Sequence, residues 1–178
     1  MLSLEKNISL VWVCVLFAAT LHAQTQPEDK SLRPSPPAKV RAALPNGTII
    51  NIEYSQPSLR GRTMGKDVEP FKNKVWRAGA NEATVFTVTK PVVIEGKPLQ
   101  AGSYALFMIM RDNAWTIIFN KKWDQWGAFN YNEDDDALRV QVLPSVYPLL
   151  IERLSYLISK EGKVSLVWGT TEVAFSVR

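Results

Sequence analysis

The feature that most constrains this chain is an alternation of apolar and polar residues that recurs in short runs along most of its length. In residues 48–54, for example, Ile50 and Ile52 fall on one side and Asn51 and Glu53 on the other. Because successive side chains of a strand point to opposite faces, each run predicts a strand with one buried face. The runs occupy residues 38–44, 48–54, 83–89, 92–95, 103–110, 114–120, 137–143, 149–158, 163–168 and 172–177.

About nine short strands without a strong helical pattern predict an all-β domain, either an antiparallel, jelly-roll-like β-sandwich with little helix or a squat barrel. Parallel α/β folds are excluded because they need a helix between successive strands. The dipeptide Asn46-Gly47 is a hairpin signal between the first two runs. Residues 149–160 also fit a short helix, since Leu150 and Leu154 share a helical stripe, but the strand interpretation is favoured.

The first 23 residues have the pattern of a secretory signal peptide, with cleavage expected after Ala23. Their apolar run, residues 8–19, is shorter than the roughly 20 residues that span a bilayer, so no integral membrane span is predicted. Residues 24–37 contain four prolines and few apolar residues, which indicates a flexible tether. Residues 38–178 then form a single domain of an exported protein, periplasmic or extracellular.

Removal of the leader would take away the only histidine, His22, and the only cysteine, Cys14. The mature chain would then lack disulfides, a cysteine nucleophile, a histidine base and any zinc site built from these residues. We therefore predict no metal and no cofactor. The net charge of +4 is mild and does not indicate nucleic acid as a partner. The oligomeric state is not indicated by the sequence.

Seven segments occur in this chain in the same order as in a known family: IEYSQPSLRGR, KVWRAGANEAT, VVIEGKPLQAGSYALF, WTIIFNK, QWGAF, LRVQV and LVWGTTEVAFSV. Through these segments, residues 37–178 resemble a secreted bacterial family called domain of unknown function 2911. The resemblance implies export and a β-rich domain, and it implies no catalytic residue because the family has no established activity. The chain departs from the family pattern in residues 63–73, TMGKDVEPFKN, where a hydrophobic, glycine-containing stretch is usual.

Residues 74–86, KVWRAGANEATVF, concentrate polar and aromatic side chains around a small hinge. As a ligand site, Trp76 offers a flat face for a sugar ring, while Arg77, Asn81 and Glu82 offer hydrogen bonds. As a structural corner, Trp76 fills the core, and Arg77 pairs with Glu82 or caps carbonyl groups of the loop. The pattern favours the structural corner, with ligand binding at the same corner left open.

Neighbouring loops supply further candidate contacts. Arg60 and Arg62 could join the site and favour an anionic ligand. Trp123 and Trp126, three residues apart on a polar loop, could form a stacking platform for sugars or fold back as a plug on the sandwich. The candidate ligand-binding residues are Arg60, Arg62, Trp76, Arg77, Asn81, Glu82 and Trp126.

Other patterns have simpler structural interpretations. Trp115 and Trp168 lie within strand-like runs and are predicted to be core residues. The acidic stretch 132–138 lacks the glycine and the distant glutamate of a calcium loop, so a solvated turn is favoured. Tyr156 and Lys160 have dehydrogenase spacing without the glycine-rich turn that this chemistry needs.

The leading hypothesis is a non-enzymatic protein that binds a carbohydrate or another small polar ligand. One alternative is a glycoside hydrolase, since two carboxylates suffice for that reaction, with Glu82 acting beside Asp124, Glu53 or Glu95. Another alternative is a structural or protein-interaction module that uses exposed strand edges.

Overall fold

The computed structural model describes residues 28–178 and confirms the all-β prediction. The predicted signal peptide and the start of the predicted tether, residues 24–27, lie outside the described residues. Within residues 28–178 no helix has the length and apolar character needed to cross a membrane. The strands are β1 Pro37–Ala43, β2 Ile49–Ser55, β3 Val75–Trp76, β4 Thr84–Val88, β5 Val92–Ile94, β6 Lys97–Leu99, β7 Gly102–Met110, β8 Trp115–Asn120, β9 Asp136–Val142, β10 Ser145–Ile158 and β11 Lys163–Ser176, and the 3₁₀ turns are Lys30–Leu32 and Glu133–Asp135.

Seven of these strands form one antiparallel sheet in the order β1-β2-β4-β7-β8-β9, with β3 also paired to β7. In the described part of the chain no ladder joins the edge strands β1 and β9, so this sheet does not close into a barrel. The long β10–β11 hairpin forms a second layer, and β5 pairs with β6 in a small third sheet. The arrangement is therefore a sandwich of unequal layers.

The core lies between the seven-stranded sheet and the β10–β11 layer. Trp76 and Trp168 stack across this boundary with ring centroids 6.2 Å apart and planes 15° apart. Trp115 and Trp168 are both buried, as predicted. Beside them, three phenylalanines pack edge to face, with centroids 5.1 to 6.0 Å apart: Phe86, Phe119 and Phe175.

Residues 149–158 lie within β10, so the strand interpretation of this segment is confirmed and the helix alternative is wrong. The two runs predicted at 163–168 and 172–177 are one continuous strand, β11. Gly169 pairs with Ile151 at the point where the register between β10 and β11 shifts, and it has a φ of +62°. The strand bends at this glycine without ending, so both predicted runs belong to β11. The short strands β3 and β6 were not predicted.

The outer face of the seven-stranded sheet is only partly covered. The loop from β8 to β9, residues 121–135, folds over one half of this face and builds a small second core around Phe107, Ile118 and Tyr131. The other half, on β1 and β2, is left open. Strand register places one row of residues across both halves: Lys39 on β1, Glu53 on β2, Val85 on β4, Ala105 on β7 and Asn120 on β8.

Candidate ligand-binding cleft

The hinge between β3 and β4 is a close-packed corner. Trp76 is only 1% exposed, and its indole Nε1 donates a hydrogen bond of 3.0 Å to the carbonyl oxygen of Gly79. A Cβ on Gly79 would lie 2.8 Å from Thr84 Oγ1, so no larger residue fits at this position. Tyr156 from the opposite layer donates its hydroxyl to the carbonyl of Ala78 at 2.8 Å. Trp76 therefore acts as a core residue here and presents no open face to a ligand.

The predicted pairing of Arg77 with Glu82 is wrong. Arg77 Nη1 lies 2.9 Å from Glu69 Oε2 in the preceding loop. Glu82 is instead paired with two cations of the N-terminal segment: Lys30 Nζ is 2.8 Å and Arg33 Nη1 is 2.9 Å from its carboxylate. The two side chains diverge because the chain turns between them: Ala78 and Asn81, which both lie between Arg77 and Glu82 in sequence, have positive φ angles of 52° and 57°.

Arg60 and Arg62 do not join this corner. The guanidinium of Arg62 donates to the carbonyl oxygens of Ser58 and Leu59, both at 2.9 Å, and so stabilises its own loop. The backbone N–H of Arg60 donates to Glu152 Oε1 at 2.6 Å, which ties the same loop to β10. Neither arginine lines the cleft described next, and the segment 63–73 does not line it either.

A cleft with a volume of about 790 Å³ opens on the uncovered half of the outer face. Its floor is the paired row of Lys39, Glu53 and Val85, and the Lys39 ammonium lies 2.7 Å from the Glu53 carboxylate. The N-terminal segment forms one wall and the β8–β9 loop forms the other. The lining residues from these two walls include Lys30, Pro37, Trp123, Asp124, Gln125 and Trp126.

The loop wall presents two aromatic faces. Trp123 is 47% exposed and Trp126 is 52% exposed, whereas aromatic residues of this size are usually buried. The loop begins at Asn120, a fully buried side chain whose amide donates to the Asn132 carbonyl at 2.9 Å and whose oxygen accepts from the Lys122 N–H at 2.9 Å. This double anchor fixes where the loop leaves the sheet, and hence where the two indoles lie.

The same loop is tied to the corner by backbone contacts. Glu82 and Trp126 form an isolated antiparallel bridge. On either side of it, the Ala83 N–H donates to the Gln125 carbonyl at 3.0 Å and the Gly127 N–H donates to the Asn81 carbonyl at 3.1 Å. The structure thus brings Asn81, Glu82 and Trp126 together, although it leaves the other predicted site residues elsewhere.

The N-terminal wall is held by polar contacts. Asn81 Nδ2 donates to the Ser35 carbonyl at 2.9 Å, and the Gln56 N–H donates to the Pro36 carbonyl at 2.9 Å. No side chain of the Lys30–Leu32 turn is buried. This described part of the predicted tether, from residue 28, therefore contacts the domain through charge and hydrogen bonds instead of apolar packing.

Two carboxyl groups of the cleft, Glu53 and Glu82, have lowered pKa values. Partial burial alone would raise the pKa of Glu82, but hydrogen bonds from Lys30, from its own backbone and from Arg33 outweigh burial and lower the pKa to about 2. The hydrogen bond from Lys39 lowers the pKa of Glu53. Asp124 forms no ion pair with another residue of 28–178. Among the same residues there is no cluster of metal-ligating side chains large enough to hold an ion.

Sequence reasoning missed Lys30 and Lys39 as cleft residues. Lys39 could have been found, because a three-residue hairpin loop over Pro45-Asn46-Gly47 pairs Leu44 with Thr48 and therefore pairs Lys39 with Glu53. Lys30 could not have been found, because no local pattern indicates that the segment before β1 folds back onto Glu82.

A family model described as "Protein of unknown function (DUF2911)" matches residues 35–177. This chain belongs to the DUF2911 family. The match begins at Ser35, whose carbonyl oxygen accepts the hydrogen bond from Asn81, and it includes all eleven strands described for this member. No curated protein and no solved structure matches the chain.

Proposed function

We propose that this DUF2911 protein is an exported, non-enzymatic binding protein whose cleft holds a carbohydrate of one or a few rings. The observation that supports this best is the pair of half-exposed tryptophans, Trp123 and Trp126, on the wall of a cleft with a polar floor. Its volume of about 790 Å³ lies within the range of about 300–1,000 Å³ usual for small-molecule sites. Export rests on the signal peptide predicted at residues 1–23.

The chemistry of the lining suits a sugar. A pyranose ring has apolar C–H faces that stack on an indole, and hydroxyl groups at its edge that need hydrogen-bond partners. Lys39 and Glu53 supply a donor and an acceptor on the floor, 2.7 Å apart, and the hydrogen bond from Lys39 lowers the pKa of Glu53. Because charged groups give stronger hydrogen bonds than neutral ones, this floor can orient a ring that stacks on the wall.

The hydrolase alternative is less well supported. Glu53, Glu82 and Asp124 all line the cleft, as that alternative requires. A glycosidase, however, needs one carboxylic acid with a raised pKa to protonate the leaving group. The pKa values of Glu53 and Glu82 are both lowered, by hydrogen bonds from Lys39 and Lys30 among others, so neither carboxyl is suited to that role.

The proposal can be tested by fluorescence quenching. Of the tryptophans in residues 28–178, three are buried and only Trp123 and Trp126 are exposed, so acrylamide should quench chiefly these two. A bound oligosaccharide should protect them, and Trp126→Ala should lower its affinity by about tenfold, or about 1.4 kcal/mol. Leu149→Ala, on the exposed part of β10, is the matched control and should bind as the wild type does.

Two outcomes of these measurements would contradict the proposed carbohydrate binding. It is contradicted if neutral, amino and acidic oligosaccharides all leave the quenching of the tryptophans unchanged. It is also contradicted if Trp123→Ala and Trp126→Ala both bind with wild-type affinity, because the aromatic wall would then have no part in recognition.

A further inference from the structure

A cation from the chain itself already lies on the aromatic wall. The guanidinium carbon of Arg33 is 5.6 Å from the centroid of the Trp126 ring, within cation–π distance. The same guanidinium donates from Nη1 to both oxygens of Glu82, at 3.0 and 2.9 Å. The corner formed by Glu82 and Trp126 therefore binds a positively charged group by two mechanisms at once.

We propose that this Glu82–Trp126 corner is a subsite for a protonated amine of the ligand, and that Arg33 occupies it as an internal substitute. The inference rests on the proposed carbohydrate function and names the class of sugar: oligosaccharides that carry free amino groups. A sugar ring stacked on Trp123 would then place its amine at Glu82, where Arg33 now lies.

The charges of the lining point the same way. Three carboxylates, Glu53, Glu82 and Asp124, are balanced by three cations, Lys30, Lys39 and Arg33. Lys30 and Arg33 both pair with Glu82 and Lys39 pairs with Glu53, whereas Asp124, which is exposed beside Trp123, forms no ion pair within the described residues. When Arg33 leaves Glu82, the cleft therefore has one negative charge in excess, and this excess attracts a cation. The arginines expected to favour an anionic ligand, Arg60 and Arg62, lie outside the cleft.

Exchange of Arg33 for an amine of the ligand requires little rearrangement. The Lys30–Leu32 turn has no buried side chain and Leu32 is 82% exposed, so the main change is at Arg33, whose side chain is 13% exposed against Glu82 and Trp126. Arg33 also donates from Nε and Nη2 to Glu28, at 2.8 and 2.6 Å, so the released guanidinium keeps a carboxylate partner. Glu82 in turn keeps a cation, because the amine replaces the one that leaves.

The test compares two oligosaccharides of the same length whose 2-amino groups are either free or acetylated. Glucosamine tetramer carries protonated amines below their pKa, whereas N-acetylglucosamine tetramer of the same length is neutral. Titration calorimetry on the purified full chain should show that Arg33→Gln raises the affinity for the amino tetramer about three- to tenfold. It should change the affinity for the acetylated tetramer by less than about twofold. Arg41→Gln, which removes an exposed cation of β1 outside the cleft, should alter neither.

A second variant tests the carboxylate. Glu82→Gln keeps the shape of the side chain but removes its charge, and it should lower the affinity for the amino tetramer by about tenfold, or about 1.4 kcal/mol. Near-UV circular dichroism checks that Glu82→Gln is folded. If Glu82→Gln does not fold, the Arg33→Gln measurement alone tests the amine subsite.

The outcomes separate the two proposals. If both tetramers protect the tryptophans and neither Arg33→Gln nor Glu82→Gln distinguishes between them, the amine subsite is refuted while carbohydrate binding stands. If neither tetramer binds the wild type or Arg33→Gln, the amine subsite is refuted, and the wider oligosaccharide panel described above decides the proposed function.

Discussion

At the corner between β3 and β4, backbone conformation decides where each side chain can act. Ala78 and Asn81 both have positive φ angles, 52° and 57°, which are uncommon for residues other than glycine. The contacts of the Ala78 and Gly79 carbonyls with Tyr156 and Trp76 stabilise this conformation. As a result, Glu82 points to the cleft while Trp76 points into the core, although the two residues are only six positions apart in sequence.

The Glu82 carboxylate should make stability depend on pH. Its pKa is lowered from the ordinary 4.5 to about 2 in the folded protein, so the unfolded chain binds a proton first as pH falls. The contribution of Glu82 is therefore fully present above about pH 4.5 and is lost as pH falls toward about 2. Because its side chain is 37% exposed, solvent screening limits this contribution to about 1 kcal/mol.

Urea unfolding measured between pH 6 and pH 2 checks this prediction. Relative to the wild type, Glu82→Gln should be less stable at pH 6, and the difference should disappear near pH 2. Asp134→Asn, at an exposed carboxylate that forms no ion pair within residues 28–178, is a control for the loss of a surface carboxylate. A difference between wild type and Glu82→Gln that stays constant over this range would contradict the assigned role of the charge.

Residue-level reasoning from sequence succeeded for Trp115 and Trp168, whose burial follows from their places in alternating strands. It also succeeded for Trp76 in the structural-corner interpretation, which placed this residue in the core. It failed for Arg77, because the direction of a side chain at a corner depends on backbone angles that composition does not encode. It failed for Arg62 for a different reason: a guanidinium can be satisfied by carbonyls of its own loop, and such local bonds leave no pattern in sequence.

At the level of elements, the cleft depends on one anchored loop. Asn120 ends β8, and its buried amide spans the base of the β8–β9 loop by donating to Asn132 and to Asp136 Oδ1, the latter at 2.8 Å. A buried amide with all its partners holds the base of the loop, in addition to the apolar packing of Tyr131 against Phe107. The positions of Trp123 and Trp126 therefore follow from a residue that does not touch the cleft.

Asn120→Ala should release this loop. Loss of the buried hydrogen bonds leaves the Lys122 N–H without a partner and the Asn132 carbonyl with only its hydrogen bond from the Asp135 N–H, which should lower the free energy of unfolding by about 1–3 kcal/mol. Amide hydrogen exchange should accelerate in residues 121–135 more than in β1 and β2. Asn113→Ala, on an exposed turn between β7 and β8, is the matched control. Unchanged exchange in the loop would show that its other contacts suffice to hold it.

Most elements could be predicted because alternation is a local signal. The merging of two predicted runs into β11 could not be predicted. Gly169, which has a positive φ, lies between the two runs, and such a glycine indicates a turn unless the partner strand is known. The cleft, too, could be predicted only in part from the sequence. Its floor follows from hairpin register, but its walls come from residues 30–37 and 123–126, which only the folded chain brings together.

At the scale of the whole molecule, the two layers share one core. Trp76 belongs to the seven-stranded sheet and Trp168 to the β10–β11 layer, and their stacked rings are both almost completely buried. Burial of side chains this large couples the two layers, because each ring loses its contacts if the other layer unfolds. The described domain has no histidine or cysteine, so this packing stabilises it without disulfides or a zinc site.

Unfolding should therefore be a single transition. Far-UV dichroism, near-UV dichroism and tryptophan fluorescence should give coincident curves in urea, as expected for a cooperative domain. Trp168→Ala should lower the free energy of unfolding by about 3–5 kcal/mol. Trp123→Ala, a surface tryptophan, should change it by less than about 0.5 kcal/mol. Separate transitions, with near-UV signal lost first, would show that the β10–β11 layer is stable only in part.

The polar attachment of residues 28–36 has an evolutionary consequence. Substitutions there alter the charge and outline of one cleft wall while leaving the sandwich interior untouched, since the Lys30–Leu32 turn buries no side chain. Selection for folding thus constrains this stretch weakly, as it does the binding loops carried by other rigid β scaffolds. Paralogues that keep the same eleven strands can therefore diverge in ligand preference through a handful of changes ahead of β1.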